Sequence, residues 1–332
     1  MKRNRIQELD FLRSLAVLLL LVHHSGVYQY QIGSFPLITL SKYINHLLLG
    51  AFVFISGYLT SITLYQRKIT DLPTFYLSRL IRLYIPYLVA LFLFIFLLEI
   101  QIPSRELIIQ VLGLQILLSP RYSDPVLTLW FISLLIIFLS ITPILIVSIK
   151  KIARLFTAYL IVFIISILIH NGFEIIDLRF IYLFPTFAIG SLIGGAQGLP
   201  AMRTSNWLLI GSFIGLILGI YMLSFSDRHY IPDLDLRHVF WSTLYILSSI
   251  ILIFRVTPLF LHFRITQKLV LFIAIGSYFT YLYHRPLWRI LNNIFGIQGG
   301  EIEALVNLIS TPLVLSFTII LQNLYGKFLL RR

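Results

Sequence analysis

The sequence predicts an all-α fold, a polytopic integral membrane helix bundle of about ten transmembrane helices with both termini in the cytoplasm. Of its 332 residues 58% are hydrophobic and only 12% are charged, and the mean hydropathy is +0.92. Soluble chains carry about 25% charged residues. Long apolar blocks recur from end to end, so the chain is predicted to be one transmembrane domain spanning residues 1–332.

Ten apolar blocks have the length of a membrane span. A hydrocarbon core about 30 Å thick requires roughly 20 apolar residues per helix. The blocks are 11–31, 44–65, 83–98, 126–149, 152–169, 180–195, 207–225, 239–254, 269–288 and 304–325. Residues 107–118 are apolar but too short to cross, so we expect an interfacial or re-entrant helix there.

The distribution of charge predicts the orientation of these spans. With both termini inside, the inner loops carry seventeen Lys and Arg against three acids, and the outer loops eight against ten. Lys and Arg concentrate in short cytoplasmic loops of membrane proteins. The net charge of +13 therefore follows from orientation, and we expect no nucleic-acid partner.

The sequence does not contain the residues or motifs that several kinds of catalysis require. The chain has no cysteine, which removes disulfides, thiolate nucleophiles and thiolate metal sites. No phosphate-binding loop, dinucleotide fingerprint, HExxH or GxSxG motif is present. The His, Asp and Glu residues do not cluster at metal-ligand spacing, so we expect no metal cofactor.

Arg13 and His24 are the strongest candidate pair for chemistry, because an ionisable group inside a span is costly and is usually functional. They are eleven residues apart, which places them within about 20° of one helix face and about 16 Å apart along it. Structural roles remain open: Arg13 could reach the inner headgroups or pair with Asp10, and His24 could form an interhelical hydrogen bond.

A second cationic pair stands at the inner entrance to the third span. Arg79 and Arg82 are three residues apart and share a helix face. Guanidinium groups bind phosphate bidentately, so the pair suits an anionic ligand. Anchoring at the cytoplasmic surface is the alternative.

Further polar residues within apolar spans are candidate substrate-binding groups. Ser56 and Tyr58 flank a glycine in the second span and either permit close packing or line a cavity. Trp130 opens the fourth span, and Tyr281 and His284 belong to a tyrosine-rich stretch of the ninth. Tyrosine usually marks membrane interfaces, but this density of hydroxyl groups favours a cavity wall.

Together these segments resemble acyltransferase family 3, the integral membrane acyltransferases that modify surface glycans. The likeness lies in the pairing of Arg13 with His24 across ten residues, the apolar-Ser-Gly-aromatic segment 54–58, the RxxR-then-Pro segment 79–86, the Trp segment 129–133 and the late SYxxYLxHxP segment 277–286. Paired acids that follow the Trp segment in many members are replaced here by Leu134, Leu135 and Ile136. The chain resembles the stand-alone type without a fused esterase-like domain.

The resemblance implies an acetyl-CoA or other acyl-CoA donor on the cytoplasmic side and a hydroxyl acceptor on a saccharide or lipid-linked saccharide. It implies that His24 is the catalytic imidazole, Arg13 its companion, and Arg79 and Arg82 donor-site residues. The expected setting is the plasma membrane, with lipid as the surrounding partner.

Two other functions are compatible with the sequence. A transporter or flippase of an anionic or polyprenyl-linked sugar would also need about ten spans with a polar interior. A membrane acyltransferase of the unrelated His/Asn type would depend on Asn292 or Asn293 in place of Arg13.

Overall fold

The structure is a computed structural model that describes residues 6–67, 72–149, 151–225 and 233–329. Several cations on which the predicted orientation depends lie outside the described residues, namely Lys2, Arg3, Arg5, Lys68, Lys150, Arg228, Arg331 and Arg332. The cytoplasmic location of both termini therefore stays a prediction.

The described chain is almost entirely helical, as the sequence predicts. Its helices are α1 (Gln7–His24), α2 (Ile38–Arg67), α3 (Leu72–Arg79), α4 (Ile85–Leu97), α5 (Ser104–Val111), α6 (Gln115–Leu118), α7 (Trp130–Ser148), α8 (Ile152–Phe173), α9 (Leu178–Gly195), α10 (Leu199–Thr204), α11 (Asn206–Ser224), α12 (Leu236–Phe260), α13 (Arg264–Phe295), α14 (Gly300–Ile309) and α15 (Thr311–Leu329). Between α1 and α2 lies a short antiparallel pair, β1 (Gln31–Ile32) and β2 (Phe35–Pro36).

Within the described ranges, eight helices are long and apolar enough to cross a membrane, or nine if α14 and α15 form one span bent by 51°. These nine coincide with the second to tenth predicted blocks, which confirms a polytopic membrane fold. The second and third blocks begin earlier in the structure, at Ile38 and Leu72. The first block is not in this set, so a tenth span stays a prediction.

The predicted end of the first span is wrong. We expect the block to extend to residue 31, but α1 ends at His24. The Ser25 N–H donates to the Leu21 carbonyl, and Gly26 then adopts a left-handed conformation with φ +94°. A left-handed residue closes a helix, and glycine adopts it without steric cost. His24 is consequently the last residue of α1.

Residues 107–118, predicted as an interfacial or re-entrant helix, form parts of α5 and α6 with a break at Gly113, where φ is +68°. Two fully buried glutamines fix this segment. The amide of Gln110 donates to the Ser123 hydroxyl at 2.8 Å, and the side-chain oxygen of Gln115 accepts from the Val126 N–H at 2.8 Å. Buried amides stabilise a loop only when they are paired in this way.

The chain divides into two compact units, and each is described by itself. The first comprises Met1–Leu49, Val89–Gln101 and Val256–Arg332. At its centre α13 packs against α1 and α15. The Ser14 hydroxyl donates to the Val270 carbonyl at 2.7 Å, and the hydroxyls of Thr280 and Thr318 lie 2.7 Å apart. Interhelical hydrogen bonds of this kind join helices that lack a hydrophobic driving force in lipid.

The second unit comprises Gly50–Leu88 and Ile102–Arg255. Here α2 and α9 approach closely, since a Cβ at Gly57 would overlap the Phe187 carbonyl and one at Gly190 the Phe54 carbonyl. Beside this contact the Ser191 hydroxyl lies 2.7 Å from Ser61 Oγ. Small residues permit such backbone contact between membrane helices.

Candidate functional site

Two histidines from distant parts of the sequence meet in the first unit. Nε2 of His284 on α13 lies 3.1 Å from Nδ1 of His24 at the end of α1. The rings are stacked, with centroids 5.0 Å apart and planes inclined by 18°. His284 is completely buried, whereas His24 is half-buried. The two imidazoles therefore form a hydrogen-bonded pair, with His24 as the more accessible member.

The backbone of α13 determines which nitrogens carry protons. Nδ1 of His284 lies 3.0 Å from the Thr280 carbonyl and 2.9 Å from the Tyr281 carbonyl. Carbonyl oxygens only accept, so this nitrogen carries a proton. In the neutral pair, Nε2 of His284 is then an acceptor and Nδ1 of His24 donates to it. Nε2 of His24 is left unprotonated and can serve as a base.

A second set of hydrogen bonds fixes the end of α1. The amide of Asn307 on α14 donates to the Ser25 carbonyl at 3.4 Å, directly after His24. The Asn292 amide on α13 donates to Asn307 at 3.1 Å and to Glu303 at 3.3 Å. His24 is thus held both through its ring and through the backbone that follows it.

Arg13 and Tyr281 also belong to this unit. Arg13 lies one turn from Asp10 on α1, with an ion-pair distance of 4.0 Å, so the local pairing considered from the sequence is present. Tyr281 is buried, and its ring centroid lies 6.5 Å from that of His284. The structure therefore brings Tyr281, His284 and His24 together.

Arg79 and Arg82 lie in the second unit, where α3 continues into a π-helical segment, Leu80–Tyr84. Such segments often occur at functional positions. The guanidinium carbon of Arg79 stands 5.2 Å from the centre of the Phe75 ring, and Arg79 is half-buried. Arg82 is exposed. Arg79 is therefore a cation stacked on an aromatic ring, and Arg82 is an exposed cation.

The remaining predicted residues of the second unit have mixed surroundings. Tyr58 is buried, and Ser56 and Trp130 are half-buried. The guanidinium of Arg179 covers the Trp130 ring at 4.9 Å and lies 3.6 Å from Asp177. Their roles in substrate binding stay predictions.

Across the described ranges, no group of three or more His, Asp or Glu residues is arranged to hold a metal ion.

Sequence reasoning missed Asn307 and Ser25, and it assigned His284 to substrate binding without its partner. One signal for Ser25 was available, because Ser-Gly directly after an apolar helix indicates a helix end. Nothing in the sequence pairs His284 with His24, since 260 residues separate them.

A family model described as an acyltransferase domain, that of acyltransferase family 3, matches residues 6–322. The match covers both units and nearly the whole chain. No curated protein and no solved structure matches the chain.

Proposed function

The chain belongs to acyltransferase family 3, and from this membership we propose that it transfers an acyl group, acetyl in the first instance, from cytoplasmic acyl-CoA to a hydroxyl of a saccharide or lipid-linked saccharide. It is an integral membrane acyltransferase. The proposed location is the plasma membrane, where such acceptors reach the outer surface. Family membership supports this enzyme over a transporter.

The His24–His284 hydrogen bond is the observation that carries the proposal. Nε2 of His24 takes the proton of the acceptor hydroxyl while the oxygen attacks the thioester carbonyl carbon. A C–O bond forms, the C–S bond breaks, and the coenzyme A sulfur leaves and takes up the proton. A positioned imidazole accelerates such a transfer by about 10²–10⁴-fold.

His284 acts in this proposal as a positioning residue. Both of its ring nitrogens are already engaged, Nδ1 with two carbonyls and Nε2 with His24. It fixes the tautomer of His24 and, when His24 becomes positively charged, accepts the hydrogen bond that stabilises the imidazolium. Histidines that act on a reacting group generally depend on such an orienting partner.

The proposal assigns the phosphates of the donor to Arg79 and Arg82. Coenzyme A carries several phosphate groups, and a guanidinium binds phosphate through parallel hydrogen bonds. Arg13 supports His24 from the same helix face, and Ser56, Tyr58, Trp130 and Tyr281 are proposed to contact substrates. The buried Asn292 donates hydrogen bonds to Asn307 and Glu303, which supports a structural role for this residue over the catalytic role that the His/Asn alternative requires.

The decisive experiment measures transfer of label from labelled acetyl-CoA to the saccharide fraction of membranes that contain the full chain. His24→Ala is expected to lower the rate by at least about 10²-fold. His262→Ala is the matched control, because His262 is an exposed histidine between α12 and α13. Transfer by His24→Ala at the parent rate would exclude the assigned chemistry. Mass spectrometry of the surface glycans would identify the acyl group and its acceptor.

A further inference from the structure

Four polar side chains line one face of α13 beyond the histidine pair. Arg285 lies four residues before Arg289, and Trp288 lies four residues before Asn292, so the four side chains share a helix face. Trp288 and Asn292 are buried, and both arginines are partly buried. This stretch, which we call the α13 polar face, lies in a helix that is otherwise apolar enough to span a membrane.

The α13 polar face contains unused hydrogen-bonding groups. Nε of Arg285, Nε of Arg289 and the indole nitrogen of Trp288 are fully buried and have no hydrogen-bond partner among the described residues. All three are donors. The Oδ1 acceptor of Asn292 is unpaired as well. Buried donors without partners are costly, and a cluster of them is unusual in a folded protein.

No carboxylate of the described chain neutralises the two arginines. Glu303 is bonded to this face, but its oxygens accept from the Asn292 amide at 3.3 Å and from the Gly299 N–H at 2.6 Å. It forms no ion pair with Arg285 or Arg289. Cations within membrane helices normally have an acid or carbonyl partner. The unmatched charge therefore indicates an anionic ligand.

The α13 polar face adjoins the histidine pair. Arg285 directly follows His284 in the sequence. The Trp288 ring packs edge-on against His284, with centroids 5.3 Å apart. An anion held by these donors would therefore lie close to the histidine pair.

We propose that Arg285 and Arg289, with the indole N–H of Trp288, bind a carboxylate or phosphate of the acceptor, which makes this enzyme selective for anionic saccharides. The inference rests on the proposed function. The predicted orientation favours the acceptor over the donor. It places Arg285 and Arg289 at the outer end of the ninth predicted span, whereas Arg79 and Arg82 stand at the inner entrance to the third. Two guanidinium groups one helical turn apart match a single anionic group.

A binding experiment tests the site without relying on turnover. The midpoint of thermal unfolding of the purified full chain is measured with glucose, glucuronate or glucose 1-phosphate. One or both anionic sugars are expected to raise the midpoint above that seen with glucose. Arg285→Gln and Arg289→Gln are expected to weaken this binding about tenfold, corresponding to about 1.4 kcal/mol. Arg105→Gln alters an exposed arginine of α5 and is the control. In this variant the anionic sugars are expected to raise the midpoint as they do in the parent.

A kinetic experiment identifies the source of the anion. The parent is expected to have a higher kcat/KM for the anionic than for the neutral sugar, and Arg289→Gln to lower that ratio about tenfold. Arg289→Lys keeps the charge but loses the planar guanidinium fork. Its ratio is expected to lie between those of the parent and of Arg289→Gln. If the ratio is kept while KM for acyl-CoA rises, the anion belongs to the donor and the proposal is wrong.

Two further outcomes would contradict the proposal. Equal stabilisation of the parent by all three sugars would remove the anionic selectivity. The anionic sugars could also fail to raise the unfolding midpoint in bilayers that contain phosphatidylglycerol while still raising it in phosphatidylcholine alone. That result would assign the site to a lipid headgroup. Absence of acyl transfer with every acceptor, combined with arginine-dependent binding of an anionic sugar, would contradict the proposed function and leave the binding site intact.

Discussion

Nδ1 of His24 lies 3.1 Å from Nε2 of His284, although 260 residues separate the two in sequence. The backbone carbonyls of Thr280 and Tyr281 hold the proton of His284 on Nδ1. The hydrogen bond between the rings consequently leaves an unprotonated nitrogen on the half-buried His24. The basicity proposed for His24 thus depends on a residue of another helix.

His284→Ala is expected to lower kcat for acyl transfer by about 10- to 100-fold while KM for acyl-CoA and for the acceptor changes little. The reason is that His284 orients His24, and loss of an orienting partner typically has this effect. Steady-state kinetics with both substrates provides the measurement. A rise in acceptor KM at unchanged kcat would restore the substrate-binding role that the sequence suggests.

Arg82→Ala is expected to raise KM for acyl-CoA about tenfold, because a charge-assisted hydrogen bond to phosphate is lost. With the 3′-dephosphorylated donor the difference from the parent should shrink if Arg82 contacts that phosphate. Arg154→Ala is the control, since Arg154 is an exposed arginine near the start of α8 that is also predicted to lie on the cytoplasmic side. An unchanged donor KM in Arg82→Ala would contradict the assignment.

Asn307→Ala is expected to destabilise the protein by about 1–3 kcal/mol, because the buried Ser25 carbonyl and the Asn292 amide each lose a partner. Acyl transfer should fall as well, since the backbone after His24 is released. The midpoint of thermal unfolding and the transfer rate are the two measurements. Asn293→Ala, at an exposed position of α13, should change neither.

Gly57→Ala is expected to lower the midpoint of thermal unfolding by a few degrees. The added methyl group overlaps the Phe187 carbonyl, and overpacking costs about 1–3 kcal/mol. Gly211→Ala is the control, because a Cβ there meets no atom within 4 Å. Alanine is the better helix former, so this control should be neutral or stabilising. Equal midpoints for the two variants would argue against close α2–α9 packing.

Gly211, Gly215 and Gly219 recur every four residues on α11, and the structure shows which of them make close helix contact. Its spacing predicts tight helix packing, and a Cβ at Gly215 or Gly219 would indeed overlap residues of α12. Gly211 faces open space instead. The spacing states which residues share a face but not how far the contact with a neighbour extends.

By itself the sequence determined that the chain is a helical membrane protein, where the eight or nine candidate spans of the described residues lie, and that its motifs are those of acyltransferase family 3. These properties are local, because span length, charge bias and residue spacing can each be read from one continuous stretch of the sequence. Only the tertiary structure decided that α1 stops at His24, that His284 is its partner, and that no acid of the described chain neutralises Arg285 and Arg289. Helical periodicity assigns residues to a face, but which faces meet depends on side-chain packing between helices far apart in sequence.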